Sequence, residues 1–278
     1  MFDNFPYDDV YFQQLITTVS DTAYSDTDDR NDLNTIFGCI DNTLLNSTDS
    51  ASSVTDFCRR TFSMQSHGVS PVAAVCVFPL HVETARKALG DSPIHVASVA
   101  GGFPAGQLPI SLKTSEVRYV VEHGADEVDI VVDRGAFLEG NEQKLFDEVA
   151  AAKEACGHAL LKVILETGEL LTPQRIYRAS MLAMLAGADF IKTSTGKISV
   201  GATPLSATVM LTAVRDFVKN NKKNIGFKAA GGISNLSDAL LYLHLTKKIL
   251  DSKNINNHLF RIGTSRLTPQ LFNFLTNR

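Results

Sequence analysis

Cysteine is scarce in this chain, with four in 278 residues, and the four form no C-x-x-C pair. Cys39, Cys58, Cys76 and Cys156 lie far apart, which excludes a disulfide-rich scaffold and fits reduced thiols in a cytoplasmic protein. Metal-binding signatures are missing as well. The seven histidines show no H-x-H or H-E-x-x-H spacing, so they read as surface or helix-end residues, and no metal is expected. No G-x-S-x-G marks a hydrolase serine. No apolar run approaches the roughly 20 residues that span a bilayer. The start, Met1 to Asp9, lacks the basic region and apolar core of a signal peptide. Excess positive charge is absent too. A formal net charge of -4 gives no reason to expect nucleic acid or an anionic membrane as a partner.

What is present is the composition of an ordinary globular chain, 44% hydrophobic and 20% charged. It suits a single domain over 1–278 with a large core. Residues 1–33 are expected to be peripheral, with a helix around Val10 to Val19 and then an acidic surface loop carrying Asp26, Asp28 and Asp29. Beyond them, strand-like and helix-like runs alternate without linker, repeat or low-complexity tract. Strands are predicted at Thr35–Ile40, Val72–Val77, Ile94–Val99, Glu127–Val132, Ala159–Leu165, Asp189–Thr193, Ile225–Ala229 and Phe260–Gly263. Helices are predicted between and after them, one opened by Ser111 as an N-cap and one by Thr172 followed by Pro173. About eight such units in roughly 250 residues fit a (β/α)8 barrel of the TIM type, with an extra N-terminal helical segment. A doubly wound open sheet is the alternative, weakened by the lack of G-x-G-x-x-G after the first strand.

In a barrel, polar residues at the C-terminal ends of strands face the active site. Lys192, in Phe190-Ile-Lys-Thr-Ser-Thr-Gly-Lys197, closes the sixth predicted strand, and Lys228, in Gly226-Phe-Lys-Ala-Ala-Gly-Gly232, closes the seventh. A desolvated lysine loses its proton more readily, and a neutral amine attacks a carbonyl to form a Schiff base. The other reading of Lys192 is a lysine that snorkels from a strand end. Neighbouring strands lie about 4.8 Å apart, so the Lys228 ammonium could help keep Lys192 nucleophilic. Alternatively, Lys228 binds a phosphate or a surface carboxylate. Asp129 shares a strand face with Glu127, opposite Val128 and Ile130. An interior carboxylate needs a partner, and Lys162, a charge within the next strand, would serve, as a static pair or in proton transfer. Asp41 and Glu166 also fall at predicted strand ends, but spacing assigns them no role. Cys76 reads as a small buried apolar residue.

Two glycine turns follow the last strands, Gly231-Gly-Ile-Ser-Asn235 and Gly263-Thr-Ser265, with Gly196 and Lys197 able to close the same place from strand six. Glycines let backbone N–H groups approach an anion, and following helix N-termini add favourable dipoles. The turns therefore read as a phosphate site or as two ordinary βα turns.

These residues resemble the deoxyribose-phosphate aldolases, a family of class I aldolases, and in particular its eukaryotic-type members. The similar stretches run in order from Cys39-Ile-Asp-Asn-Thr43 through Ala74-Val-Cys-Val-Phe-Pro79, Ala97-Ser-Val-Ala-Gly-Gly-Phe-Pro-Ala-Gly-Gln107 and Gly124-Ala-Asp-Glu-Val-Asp129. They continue through Leu161-Lys-Val-Ile-Leu-Glu-Thr-Gly-Glu-Leu170, Asp189 to Lys197, Gly226 to Gly232 and Arg261-Ile-Gly-Thr-Ser265. The resemblance implies reversible cleavage of 2-deoxy-D-ribose 5-phosphate to acetaldehyde and D-glyceraldehyde 3-phosphate. Further readings are a Schiff-base aldolase with altered acceptor preference and a catalytically weak sugar-phosphate binding protein. The resemblance further implies Lys192 as the Schiff-base lysine, Lys228 as the lysine that lowers its pKa, Asp129 as the acid/base carboxylate and Lys162 as its neighbour. Gly196, Lys197, Gly231, Gly232, Gly263 and Ser265 fall at phosphate-binding turns. No cofactor is implied, because the protonated imine is itself the electron sink. A sugar phosphate is the implied partner, and a homo-oligomer is compatible with it. This chain departs from the family at Ser234, where relatives commonly carry arginine, at Arg266, where a small residue is usual, and at Ala229, a frequent proline.

Overall fold

Eight short strands form a closed, all-parallel barrel in the order β1-β2-β3-β4-β5-β6-β7-β8. They are β1 (Ile40–Thr43), β2 (Ala74–Val77), β3 (His95–Ala100), β4 (Glu127–Val131), β5 (Leu160–Ile164), β6 (Phe190–Lys192), β7 (Gly226–Ala230) and β8 (Phe260–Thr264). The computed structural model describes residues 5–23, 30–251 and 255–276. Helices α1 (Asp9–Ala23), α2 (Arg30–Gly38), α3 (Ala51–Ser63), α4 (Val82–Leu89), α5 (Ile110–Glu122) and α6 (Arg134–Leu138) come from the first half. Helices α7 (Glu142–Cys156), α8 (Thr167–Leu170), α9 (Pro173–Leu185), α10 (Pro204–Asn221), α11 (Leu236–Ile249) and α12 (Leu267–Thr276) complete the shell. The TIM-barrel expectation is therefore met.

Strand alternation sorts the side chains. Val128 and Ile130 of β4 and Leu161 and Val163 of β5 join the apolar layer between strands and helices. Their neighbours Glu127, Asp129 and Lys162 point the other way and are fully buried. Barrel interiors are ordinarily filled by branched apolar residues. Here an apolar cluster of Leu45, Ala74, Cys76, Ala97 and Val99 fills the β1–β3 side.

Local chemistry sets several helix starts. Thr172 accepts from Arg175 N at 3.3 Å and Pro173 follows. Thr203 and Ser206 form a reciprocal capping box at the start of α10. Ser111, expected as an N-cap, lies inside the first turn instead. The helix begins one residue earlier behind Pro109, whose φ of -54° already leads into it. Two short helices, α6 and α8, occupy the loops after β4 and β5 and were not anticipated, although α6 opens on Asp133, whose carboxylate accepts from Ala136 N at 3.1 Å.

The first predicted strand requires correction. Most of Thr35–Ile40 is the end of α2, and β1 starts at Ile40. Leu33, Ile36 and Phe37 are buried at i, i+3 and i+4, which is helical spacing. Asp32 fixes that helix to α11 by accepting from His244 Nε2 at 2.8 Å and from Lys247.

The N-terminal helix lies outside the barrel against α10 and α11. Phe12 is fully buried there, a contribution of about 1.5–3 kcal/mol. Tyr7 donates to Asp216 at 2.6 Å, and Arg215 reaches Tyr7 at 2.8 Å and Tyr11 at 2.9 Å. The acidic loop expected at Asp26, Asp28 and Asp29 lies outside the described residues. No described helix is long and apolar enough to cross a membrane.

Candidate active site

Lys192 ends β6 and is aligned with Ile164 of β5 on one side and Lys228 of β7 on the other. Asp129 of β4 is aligned with Lys162 of β5. These registers bring together the four residues singled out from the sequence. Asp129 accepts from Lys162 through Oδ1 at 2.8 Å, and from both Lys192 and Lys228 through Oδ2 at 2.7 Å each.

Three further charges complete the cluster. Asp41 of β1 accepts from Lys228 at 2.5 Å and from Arg261 of β8 at 2.6 Å. Glu127 contacts Lys162 at 2.5 Å and Arg261 at 2.7 Å. Arg261 also lies over the Phe190 ring, 5.5 Å from its centroid. That ring fits only because position 226 is glycine, where a Cβ would come within 2.1 Å of it. Sequence reasoning left Asp41 unassigned and passed over Glu127 and Arg261 as members of the site. The available signal was a charge inside a strand, which had already marked Lys162.

The charges act on one another. Burial and then the Lys228 ammonium push Lys192 below an ordinary lysine, against the pull of Asp129. Burial also acts against a charged Lys228, but Asp129 and Asp41 outweigh it and hold its pKa up. Lys162 is raised in the same way by Asp129, Glu127 and Asp41. Burial opposes ionisation of Asp129, yet Lys162, Lys192 and Lys228 hold it well below the usual carboxylate range. Lys192 is thus the lysine of the three disposed to be neutral. Cys76 is fully buried nearby, and burial pushes its thiol up to about 11, so it packs as an apolar residue.

The loop after β6 is held by Glu166, which adopts left-handed backbone with φ of 55°. Its carboxylate accepts from Thr195 N at 3.1 Å and Thr195 Oγ1 at 2.5 Å. A strained residue with two such partners has a stated reason to be there. Ser194, two residues beyond Lys192, is fully buried, and its hydroxyl has no hydrogen-bond partner. Its Cβ sits 3.4 Å from where a Cβ of Gly231 would stand. A buried, unpaired hydroxyl of that kind calls for a ligand or a water.

The glycine turns adjoin one another. Gly231, at φ of +87°, packs so closely on Gly201 that a Cβ on residue 201 would lie 2.3 Å from Gly231 O. Gly196 lies on the same side, 3.7 Å by the same measure from Gly231 Cα. Gly232 and Ser265 are exposed beyond them. Gly263 lies within β8, aligned with Ala230, rather than after the strand. A Cβ there would stand 3.1 Å from Lys228 Cε, so this glycine also leaves room for the Lys228 stem. Lys197 is exposed, and its amine donates to Leu45 O beyond β1. Gly201 was not anticipated.

A barrel whose interior carries a lysine disposed to be neutral, tied to a carboxylate and a second lysine, defines a class: enzymes that work through a lysine imine. The comparisons agree on a narrower family. The family described as DeoC/LacD family aldolase matches residues 36–248, and the chain belongs to it. The human deoxyribose-phosphate aldolase is 44% identical over 256 residues, covering 86% of this chain and 80% of the human one. The bovine deoxyribose-phosphate aldolase is 43% identical over 257 residues, with the same coverage. Among solved structures, the tetrameric deoxyribose phosphate aldolase from Aeropyrum pernix superposes with a TM-score of 0.71. It is 25% identical, with 92% of this chain and 96% of that one covered.

Proposed function

We propose that this chain reversibly cleaves 2-deoxy-D-ribose 5-phosphate to acetaldehyde and D-glyceraldehyde 3-phosphate, with Lys192 as the imine-forming residue. The observation that carries the reading is the shared Asp129 oxygen, to which Lys192 and Lys228 both donate at 2.7 Å. The neutral Lys192 amine attacks C1 of the open-chain sugar, and loss of water from the carbinolamine leaves a protonated imine. A base removes the proton of the C3 hydroxyl. The C2–C3 bond breaks, C3 becomes the aldehyde carbon of glyceraldehyde 3-phosphate, and the bonding pair flows into the iminium to give a two-carbon enamine. Protonation at C2 and hydrolysis release acetaldehyde and restore the amine.

Asp129 is the group assigned to these proton transfers, since its ionised carboxylate touches the reacting nitrogen. Lys162 fixes its other oxygen at 2.8 Å. Lys228 stays charged and disfavours a second ammonium beside it. The substrate phosphate is assigned to the face formed by Gly196, Lys197, Gly231, Gly232, Gly263 and Ser265, supported by the adjoining glycine turns and the unpaired Ser194 hydroxyl. The chemistry needs no electron sink beyond the iminium, so no cofactor or metal enters this reading. A cytoplasmic homo-oligomer is part of it, supported by the four buried free thiols and the tetrameric Aeropyrum pernix relative.

The test is a cleavage assay on wild type and Lys192→Ala, with acetaldehyde and borohydride trapping read by peptide mass. A reduced two-carbon adduct on Lys192, lost with activity in the variant, is the expected result. Cleavage by Lys192→Ala at the wild-type rate would overturn the assignment.

A further inference from the structure

Seven ionisable side chains from β1 and β4 to β8 meet in the barrel interior, and all are buried. Six of them close a ring of alternating charge. Arg261 donates to Asp41 at 2.6 Å, and Asp41 accepts from Lys228 at 2.5 Å. Lys228 donates to Asp129 at 2.7 Å, and Asp129 accepts from Lys162 at 2.8 Å. Lys162 meets Glu127 at 2.5 Å, and Glu127 returns to Arg261 at 2.7 Å. Lys162 also braces the ring across its middle, 3.4 Å from Asp41. Along the ring each cation touches two carboxylates and each carboxylate two cations, with the Lys162–Asp41 brace in addition. Three of each sign make it neutral.

Lys192 is the seventh group and stands outside the ring. Its carboxylate partner is Asp129, through the oxygen that Lys228 already uses. A proton on Lys192 therefore adds one positive charge to a neutral ring in a space with little access to water, Lys192 being 4% exposed, where such a charge is costly. Arg261 sits directly across the ring from Asp129, so it does not contact the reacting nitrogen.

We propose that Arg261 and Glu127 are positioning residues for the imine chemistry: they complete a neutral ring that leaves Lys192 as the one cation in excess. The inference rests on Lys192 being the imine-forming residue and extends that reading to two residues below it. Arg261 is surrounded by Asp41 from β1, Glu127 from β4, Lys162 from β5, the Phe190 ring from β6 and Lys228 from β7, with the Asn257 carbonyl at its Nε. Cys39 and His95 lie within its field. Asp129, Lys228 and Cys76 act on Lys192. His95, half-buried at the start of β3, bonds Glu127 at 2.8 Å and is a second handle on the same ring. Burial keeps salt from screening these charges.

The roles are separable by charge count. Arg261→Met leaves the ring one negative charge in excess, which Lys192 can neutralise by holding its proton. Glu127→Gln, nearly isosteric, has the opposite sign. The double variant is neutral again. The experiment traps acetaldehyde on Lys192 with cyanoborohydride across pH and reads the adduct by peptide mass. We expect the midpoint for trapping to rise by about one pH unit in Arg261→Met, to fall in Glu127→Gln, and to return near the wild-type value in the double variant. Arg261→Lys, which keeps the count, should hold the wild-type midpoint, and it decides the matter together with Glu127→Gln if Arg261→Met does not fold. Unchanged midpoints in the single variants, with only a uniform loss of trapping, would overturn the proposal. Absence of an adduct on wild-type Lys192 at every pH would instead overturn the aldolase reading beneath it.

Discussion

Lys192 and Lys228 compete for one oxygen. Both donate to Asp129 Oδ2 at 2.7 Å, but Lys228 also holds Asp41 at 2.5 Å. The asymmetry decides which lysine is charged. The lysine with two carboxylates keeps its proton, and the lysine with a shared one is pushed down by burial and by its neighbour.

Removing the neighbour should therefore raise the proton affinity of Lys192. In Lys228→Met, Asp129 Oδ2 is left to Lys192 alone, and the Lys192 ammonium becomes the favoured form. We expect kcat at neutral pH to fall about 100-fold, with partial recovery as pH rises. The pH–rate profile checks this, and a loss equal at all pH values would contradict it.

Acid should destabilise the fold through the same cluster. Asp41, Glu127 and Asp129 are opposed by burial yet held below their ordinary values by Lys162, Lys228 and Arg261. A carboxylate with a depressed folded pKa contributes stability above its unfolded value of about 4, which is lost as pH falls through the folded value. Lys162 and Lys228 are raised, so their contribution is full below about 10.4 and is lost only as pH climbs through their folded values. The expected melting curve is a plateau from mildly acidic to alkaline pH with a fall on the acid side. Asp129→Asn removes the negative charge shared by three buried lysines and replaces one acceptor oxygen with a donor, and should lower stability by about 3–5 kcal/mol, read by denaturant unfolding at neutral pH.

Gly201→Ala tests the proposed phosphate face from behind. Its Cβ would stand 2.3 Å from Gly231 O, and backbone cannot yield as a flexible side chain can. The Gly231 turn must move, so KM for the phosphorylated sugar should rise about tenfold or more. Cleavage of unphosphorylated deoxyribose should change much less. An equal effect on both substrates would place the damage elsewhere.

The barrel was legible because each strand–helix unit carries its own period and punctuation, such as Thr172-Pro173 before α9 and Gly187 after it. Around Thr35 the apolar residues fit a strand by composition while their burial follows a helix, and packing against α11 and α12 separates the two. Lys192, Lys228, Asp129 and Lys162 stood out as charges at or within apolar strands. Asp41 fell at a predicted strand end, but spacing gave it no partner, since Lys228 and Arg261 reach it from β7 and β8 only in the closed barrel. Arg261 and Glu127 had no pattern to link them, because their partnership exists only when β8 and β4 face each other across a closed barrel. Gly201 was invisible for a related reason: its constraint is the approach of another backbone 30 residues away in sequence.

The departures from the family pattern give the last test. Ser234 directly precedes Asn235, which caps α11 by accepting from Asp238 N at 2.8 Å. Thr264 ties this loop to the end of β8 by donating to Ile233 O at 2.9 Å, and it accepts from Arg266 N at 3.2 Å. Ser234 and Arg266 thus flank one stitched surface beside the Gly231-Gly232 turn, with Arg266 exposed. If Arg266 supplies the positive charge that the family resemblance implies at position 234, moving it back should be neutral: Ser234→Arg combined with Arg266→Ser should keep the wild-type KM. Arg266→Ser alone should raise KM for the phosphorylated sugar about fivefold, the scale of an exposed ion pair. That loss should shrink in high salt. Because the contact is to the phosphate and remote from Lys192, kcat should stay within about twofold of wild type. A fall in kcat at unchanged KM would show that Arg266 does not bind the phosphate.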